Sequence, residues 1–198
     1  MRSSSVLSQG LVALAAGLCS LGASAIEHRI DPTHTFATFE IDHFGATTNR
    51  GRMVMKQGSL DFNLAEETGK VDVTLDTTSV STGTAVFDAK VRSDDVLDVE
   101  RFPTARFVSD RFVFERGRLT EVRGQLTLKD KTQPVTFRTL KFNCYNNLLF
   151  GRTVCGGEFE AVIDRTAFGI DYLVRFAMPK EVRLLVQICL LYTSPSPR

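Results

Sequence analysis

The sequence contains no tryptophan and only three histidines, and it has no pattern typical of a catalytic or metal site. The spacings His-x-His and His-Glu-x-x-His, which bring zinc ligands together, are absent. Also absent are the Gly-x-Ser-x-Gly motif of the α/β-hydrolases and a pair of carboxylates at a defined spacing. These absences predict a protein without a metal site and disfavour an enzyme, although catalysis stays open as an alternative.

The chain also lacks an excess of charge of either sign. It carries 24 Lys and Arg residues against 23 Asp and Glu residues, which gives a net charge of +1. A protein that binds nucleic acid needs a basic surplus to attract the phosphate backbone. The composition therefore predicts that nucleic acid is not a partner.

No apolar run is long enough to span a bilayer. The longest candidate, Leu11 to Leu18, is shorter than the roughly 20 residues that a membrane helix needs. It follows the basic residue Arg2 and precedes the small residues Ala23-Ser24-Ala25, an order typical of a cleavable signal peptide. We therefore predict that residues 1–25 are a signal peptide, with an uncleaved anchor as the alternative.

The chain has four cysteines, and two of them suit an oxidising compartment. Cys144 and Cys155 flank a segment with Asn-Asn and Gly that is typical of a hairpin loop, so we expect them to be bonded. A metal or redox pair is the alternative. Cys189 is left over in a tail that abandons the preceding pattern, and we predict that residues 189–198 are not native.

What the sequence does have is alternation of apolar and polar residues. Val122, Gly124 and Leu126 share one face of a strand, while Arg123 and Gln125 share the other. The same pattern predicts strands at 35–44, 51–63, 70–77, 104–115, 118–129, 133–144, 153–164 and 181–190. Antiparallel strands that have short connections and one solvent-exposed face are expected to close into a barrel, because closure removes every exposed edge of the sheet.

Two connections are longer than the others. The segment from residue 79 to 103 contains a predicted helix, Thr84 to Val99, because Phe87 and Val91 lie four residues apart and Pro103 prevents continuation. The segment 166–180 is irregular. Both are long enough to cover an opening of the barrel, either as solvated connectors or as a gate for a ligand.

A series of short motifs follows this pattern in a fixed order. The motifs are Asp31-Pro32-Thr33-His34, Asp42-His43-Phe44-Gly45, Asn49-Arg50-Gly51-Arg52, Arg92-Ser93-Asp94-Asp95, Gly124-Gln125-Leu126-Thr127-Leu128 and Ile163-Asp164-Arg165-Thr166-Ala167-Phe168-Gly169-Ile170. On these motifs the chain, from about residue 30 to 187, resembles the YceI-like family of bacterial periplasmic proteins. The resemblance implies a single domain, 26–188, that forms an all-β, eight-stranded antiparallel lipocalin-like barrel and resides in the periplasm.

The resemblance further implies that the barrel binds a polyisoprenoid, either an isoprenoid quinone or a prenyl diphosphate. It also allows a homodimer and a transient contact with a membrane. Two departures from the family pattern lie in the capping segment, namely Lys90 in place of His and Val96 in place of Phe. We expect these residues to alter the preferred chain length or headgroup of the ligand.

The ligand-binding residues are predicted to be the apolar side chains that point into the barrel or into its cap. They are Phe39, Ile41, Phe62, Val73, Leu75, Phe87, Val91, Phe107, Leu126, Leu128, Phe137, Phe159, Ile163 and Phe168. Taken singly, each is more simply a core residue, because small barrels normally fill their interior. The prediction concerns the set, which would leave an elongated apolar channel.

A few polar residues are candidates for the ligand headgroup. His34, His43, Arg92 and Arg165 are placed to meet it at a barrel mouth, and an arginine would pair with a diphosphate. The alternative is structural: the histidines bond to neighbouring loops, and Arg165 ties its turn to Asp164 or Asp171.

The predicted function is non-enzymatic transport or storage of an isoprenoid lipid, with no cofactor besides that ligand. The first alternative is a stress-related periplasmic interaction module whose barrel is packed solid. The second is an enzyme that acts on a prenyl substrate.

Overall fold

The barrel is built from nine strands and one short helix. The computed structural model describes residues 27–148 and 151–192, so the predicted signal peptide, 1–25, lies outside the described residues. The strands are β1 (Glu27–Ile30), β2 (Phe36–His43), β3 (Thr47–Asn63), β4 (Thr68–Asp76), β5 (Thr104–Glu115), β6 (Arg118–Leu128), β7 (Lys131–Asn147), β8 (Arg152–Asp164) and β9 (Glu181–Tyr192), and the helix is α1 (Ala85–Arg92).

The sheet closes on itself with every pairing antiparallel. From β2 the order runs through β9, β8, β7, β6, β5 and β4 to β3, which pairs again with β2. The short strand β1 pairs with β3 and β9, the same two neighbours as β2. Strands β1 and β2 are therefore two halves of one broken strand, and the predicted eight-stranded antiparallel barrel is confirmed.

The break in the first strand lies at residues 31–35. The backbone N–H and the hydroxyl of Thr33 both donate to Asp31, at 2.9 and 2.7 Å, and His34 Nδ1 lies 2.6 Å from the other carboxylate oxygen. Such an Asp-centred turn offers the backbone N–H an acceptor other than a neighbouring strand. The sequence pattern predicted a single strand from residue 35, so β1 was missed.

Asp31 gives the turn a dependence on pH. Burial alone would raise its pKa, but hydrogen bonds from Thr33 and His34 hold the pKa at about 2 instead of 3.8. This contribution to stability, at most about 2 kcal/mol, is present above pH 3.8 and is lost as the pH falls through about 2. We therefore expect Asp31→Asn to lose less stability than the wild type between those pH values in urea unfolding. Parallel stability curves for the two proteins would contradict this.

The predicted alternation is confirmed by burial. Val122 and Leu126 of β6 are buried in the barrel, whereas Arg123 between them is exposed. The difference from the prediction lies at the strand ends. Strand β3 begins at Thr47, and β7 begins at Lys131, so that Pro134 pairs with β6 inside the strand instead of opening it.

The predicted non-native tail begins within β9. That strand runs on to Tyr192, and Leu190 is one of the most buried side chains of the barrel. Residues 193–198 lie outside the described residues. That residues 189–198 are not native stays a prediction.

The helix in the 79–103 connection is confirmed but is shorter than predicted. It ends at Arg92, because the backbone N–H of Ser93 closes the last turn on Ala89 and the chain then folds back on the helix. The N–H of Leu97 donates to the carbonyl of Val91, which places Leu97 beneath the helix. The predicted extension to Val99 was therefore wrong.

The predicted disulfide is present between Cys144 and Cys155, which face each other in the β7–β8 hairpin. The two cysteines are 11 residues apart, so the crosslink stabilises the fold by about 3 kcal/mol on the chain-entropy estimate. We expect replacement of both by serine to lower the melting temperature by about 6–12 °C. Cys189→Ser, at the cysteine that is unpaired among the described residues, is the matched control. Equal melting temperatures for the double variant and the wild type would refute the expectation.

Candidate functional site

The interior of the barrel contains an elongated cavity of about 420 Å³. This volume falls within the range of roughly 300–1,000 Å³ typical of small-molecule sites. Its walls come from every strand from β2 to β9 and are almost entirely apolar. Most of the lining residues are Phe39, Ile41, Met53, Leu60, Phe62, Val71, Val73, Leu75, Phe107, Phe112, Leu119, Val122, Leu126, Leu128, Phe137, Phe142, Phe159, Ile163, Val182, Leu184, Val186, Ile188 and Leu190.

The side chains of β9 show that the interior is not filled. Val182, Leu184, Val186 and Ile188 all point inward and pack on the core, yet each keeps accessible surface. A side chain in a filled core at these positions would be fully buried, because protein interiors are close-packed. The alternative of a solidly packed barrel is therefore wrong for this fold.

One end of the barrel is closed by phenylalanine rings. Phe62 lies at the centre of the group, with ring centroids 6.1 Å from Phe112, 6.2 Å from Phe114 and 5.1 Å from Phe142. All four belong to the ends of β3, β5 and β7 nearest the disulfide. We call this end the closed end.

The other end is covered by the two long connections. Val91 and Phe87 of α1 pack with Met53 and Ile170 in a second apolar cluster, and all four line the cavity. Both connections lie at the same end because β4 and β8 run in the same direction and finish there. We call this end the mouth. The position of the two connections confirms the prediction that the long segments cap the barrel.

Four of the phenylalanines in the wall lie against glycines. A β-carbon at Gly51 would collide with the ring of Phe39, and one at Gly124 would come within 2.7 Å of the ring of Phe107. Gly69 bears the same relation to Phe112, and Gly157 to Phe159. The rings use the space of the missing side chains and so lie close to the wall, which leaves the axis of the barrel open.

Arg165 lies at the mouth, is 5% exposed and lines the cavity. Its guanidinium donates to three backbone carbonyls, those of Pro179 at 2.9 Å, Ile170 at 3.3 Å and Tyr172 at 2.8 Å. Burial lowers the pKa of this guanidinium. Arg165 therefore ties together the segment between β8 and β9, but its hydrogen-bond partners are backbone carbonyls, so the expected bond to Asp164 or Asp171 was wrong.

Two of the predicted ligand-binding residues do not line the cavity. Arg92 donates to the carbonyls of Thr78 at 3.1 Å and Val80 at 2.5 Å, which fixes α1 to the segment that follows β4. Phe168 is 1% exposed and packs in the main core without bordering the cavity. Neither side chain faces the lumen.

Several of the polar residues that border the cavity lie at the mouth. His43 and Asn49 come from the β2–β3 hairpin, and Lys90 and Tyr172 come from the cap. The ammonium of Lys90 lies 2.7 Å from Asp95, which raises the pKa of Lys90, and 4.6 Å from the centre of the Tyr172 ring. His34 instead belongs to the Asp31 turn and does not border the cavity.

Sequence reasoning found the wall and missed parts of the mouth. All the predicted lining residues except Arg92 and Phe168 border the cavity. The inward residues of β9 were missed as ligand contacts although their alternation was visible. Tyr172, Leu173 and Met178 were missed because an irregular segment has no period to reveal its inner face.

Two negative observations apply to residues 27–148 and 151–192. Within these ranges no three His, Cys, Asp or Glu side chains come together in an arrangement that would hold a metal ion. In the same part of the chain, no helix has the length and apolar character to cross a membrane.

The comparisons with known proteins agree with this architecture. The protein-family model of the YceI-like domain matches residues 28–190 of this chain. A UPF0312 protein of Pseudomonas paraeruginosa is 35% identical over 189 residues, which cover 92% of this chain and 97% of the relative. A UPF0312 protein of Pseudomonas savastanoi is 32% identical over 171 residues, covering 83% and 88%.

Solved structures show the same fold at lower identity. BcnA of Burkholderia cenocepacia has a TM-score of 0.66 at 22% identity and covers 83% of this chain and 100% of its own. The YceI protein of Campylobacter jejuni has a TM-score of 0.65 at 18% identity, covering 78% and 91%. A polyisoprenoid-binding domain from Saccharophagus degradans has a TM-score of 0.56 at 14% identity, covering 86% and 100%. From its barrel and from the match over residues 28–190, the chain belongs to the YceI-like family.

Proposed function

We propose that the protein binds an isoprenoid lipid in the lumen and carries or stores it in the periplasm without chemically changing it. The observation that carries the proposal is the elongated apolar cavity of about 420 Å³ inside the barrel. The Saccharophagus degradans domain with this fold is described as polyisoprenoid-binding, which supports the same ligand class. The predicted signal peptide supports the compartment.

The physical chemistry of a prenyl chain suits such a lumen. The chain is a branched hydrocarbon without hydrogen-bonding groups, so a protein holds it by shape and by removal from water. Burial gains about 0.8 kcal/mol for each CH2-sized group, or roughly 4 kcal/mol for a five-carbon unit. Three such units would approach nanomolar affinity before the cost of ordering the chain.

We further propose that the headgroup sits at the mouth and carries no charge, as in a quinone. The donors of Arg92 and Arg165 are engaged by backbone carbonyls, and Lys90 is paired with Asp95. A diphosphate would have to break these contacts to obtain a counter-ion. A quinone carbonyl needs only one donor, and His43 and Asn49 are available at the rim.

The test is extraction of the purified protein with organic solvent, followed by mass spectrometry. A prenyl lipid at a constant molar ratio to the protein is the expected result. Repeated recovery of no lipid, together with failure of the protein to take up a quinone from detergent, would refute the proposal. Tighter binding of a prenyl diphosphate than of a quinone of equal chain length would refute the headgroup assignment alone.

A further inference from the structure

Three apolar side chains stand out into solvent around the mouth. Phe44 is 49% exposed, Val86 is 82% exposed and Phe176 is 73% exposed. They come from three separate elements: the β2–β3 turn, α1 and the segment before β9. Phe44 follows His43 and Val86 precedes Phe87, and both neighbours line the cavity. We call these three residues the mouth rim.

The backbone holds two of these rings outward. Phe44 has a φ of 57°, a left-handed conformation that is rare for a bulky residue, and the next residue, Gly45, donates its N–H to Asp42 at 2.6 Å. Phe176 belongs to a 3₁₀ turn that is flanked by left-handed residues, Leu173 at 58° and Ala177 at 67°. Conformations of this kind persist where the surrounding structure fixes them. The exposed rings are therefore set by the fold of the mouth.

We propose that the mouth rim docks the barrel on a phospholipid bilayer and that the ligand enters the lumen directly from that bilayer. This inference rests on the proposed function. A long isoprenoid has its source in a membrane, and the mouth rim lies at the end of the barrel where His43 and Phe87 line the cavity. Exposed apolar side chains, aromatic rings in particular, are suited to insert at the bilayer interface.

The charge of the chain favours a bilayer bound by apolar contact over one bound by electrostatic attraction. The net charge of the whole sequence is +1, and the one basic residue within the 3₁₀ turn, Arg175, follows the acidic residue Asp171 by four positions in the sequence. Docking driven by side-chain insertion is insensitive to salt, whereas docking through a basic patch weakens steeply as salt is added. We therefore expect binding to neutral vesicles at both low and high ionic strength.

The test compares two triple variants with the wild type. The first replaces the mouth rim, with Phe44→Ser, Val86→Ser and Phe176→Ser. The matched control removes exposed apolar side chains at the closed end, with Leu64→Ser, Tyr145→Ser and Leu148→Ser, which are 46%, 53% and 93% exposed. Thermal unfolding of all three proteins verifies that the variants fold.

Partitioning is measured by co-sedimentation with phosphatidylcholine vesicles. Each inserted side chain is worth about tenfold, so the rim variant, which lacks three, is expected to bind vesicles about 1,000-fold more weakly than the wild type. The closed-end variant is expected to bind as the wild type does. Equal binding by the rim variant, weakened binding by the closed-end variant alone, or no binding by the wild type would each overturn the proposal.

A second measurement separates this inference from the proposed function. Quinone is offered either in detergent or in phosphatidylcholine vesicles, and the rate and extent of uptake are followed. The rim variant is expected to reach the wild-type affinity from detergent but to load from vesicles at least about tenfold more slowly. No uptake from detergent by the wild type contradicts the proposed function, whereas equal rates from vesicles contradict docking.

Discussion

Replacement of Ala37 by tryptophan is expected to weaken binding of an isoprenoid about a thousandfold while the barrel stays folded. Ala37 is 4% exposed, lines the cavity, and pairs with Met53 on one side and Val186 on the other. An indole at this position would project into the lumen and occupy space that the ligand needs. Loss of room for one five-carbon unit costs roughly 4 kcal/mol, which is about a thousandfold in affinity. The measurement is a titration of quinone, delivered in detergent, against each protein.

The control for this variant places the same ring outside the lumen. Ala65 is exposed in the β3–β4 turn at the closed end, so Ala65→Trp is expected to bind quinone as the wild type does. Ala105→Trp, which enters the cavity from β5, should repeat the effect of Ala37→Trp. Unchanged affinity in both lumen variants, with normal melting curves, would show that the ligand does not occupy the barrel.

The second large effect is expected for Arg165→Ala. The guanidinium of Arg165 is buried and is the shared donor to three carbonyls of the segment between β8 and β9. Hydrogen bonds to a charged group contribute roughly 1.5–3 kcal/mol each. The three carbonyls would lose their donor while they stay partly buried, which is unfavourable. We expect a loss of about 3–5 kcal/mol in the free energy of unfolding. This corresponds to a fall of roughly 10 °C or more in melting temperature.

A matched variant separates burial from charge. Arg138 also carries a full charge, but its side chain is 64% exposed and it forms an ion pair with Glu160 on the outer wall. Exposed ion pairs contribute about 0–1 kcal/mol, so Arg138→Ala is expected to change stability little. Arg165→Lys should fall between the two because an ammonium cannot reach all three carbonyls. Equal melting temperatures for Arg165→Ala and Arg138→Ala would contradict the structural role of Arg165.

The strands were predictable because their signal is local. In β6, the alternation of Val122 and Leu126 with Arg123 reflects burial on one face, and the two-residue period of a strand needs no knowledge of its neighbours. β1 was missed because its four residues carry too little pattern, and it is defined by pairing with β3 and β9. The end of α1 was missed for a related reason, since the turn after Arg92 depends on contacts beneath the helix.

The site divides in the same way. Residues such as Val73 and Phe137 were predicted to line the lumen because the inner face of a strand follows from its alternation. Arg165 was predicted as a candidate for binding the ligand headgroup. Whether its guanidinium bonds to a headgroup or to the backbone depends on the fold of residues 170–179, which have no regular pattern. Tyr172 and Leu173 lie in that irregular segment, where no period distinguishes the inner from the outer side.

The contacts between glycines and phenylalanines have a consequence for how sequence changes would act on this barrel. Gly51 and Gly69 lie within strands, and an added methyl group there would push the ring of Phe39 or Phe112 toward the axis. At Gly124 an added methyl group would instead collide first with the backbone carbonyl of Val108. The width of the channel therefore depends on the absence of a side chain at Gly51 and Gly69. Alanine at Gly51 or Gly69 would narrow the channel for a hydrocarbon chain. Relatives with a larger residue at these positions are therefore expected to bind thinner or shorter ligands.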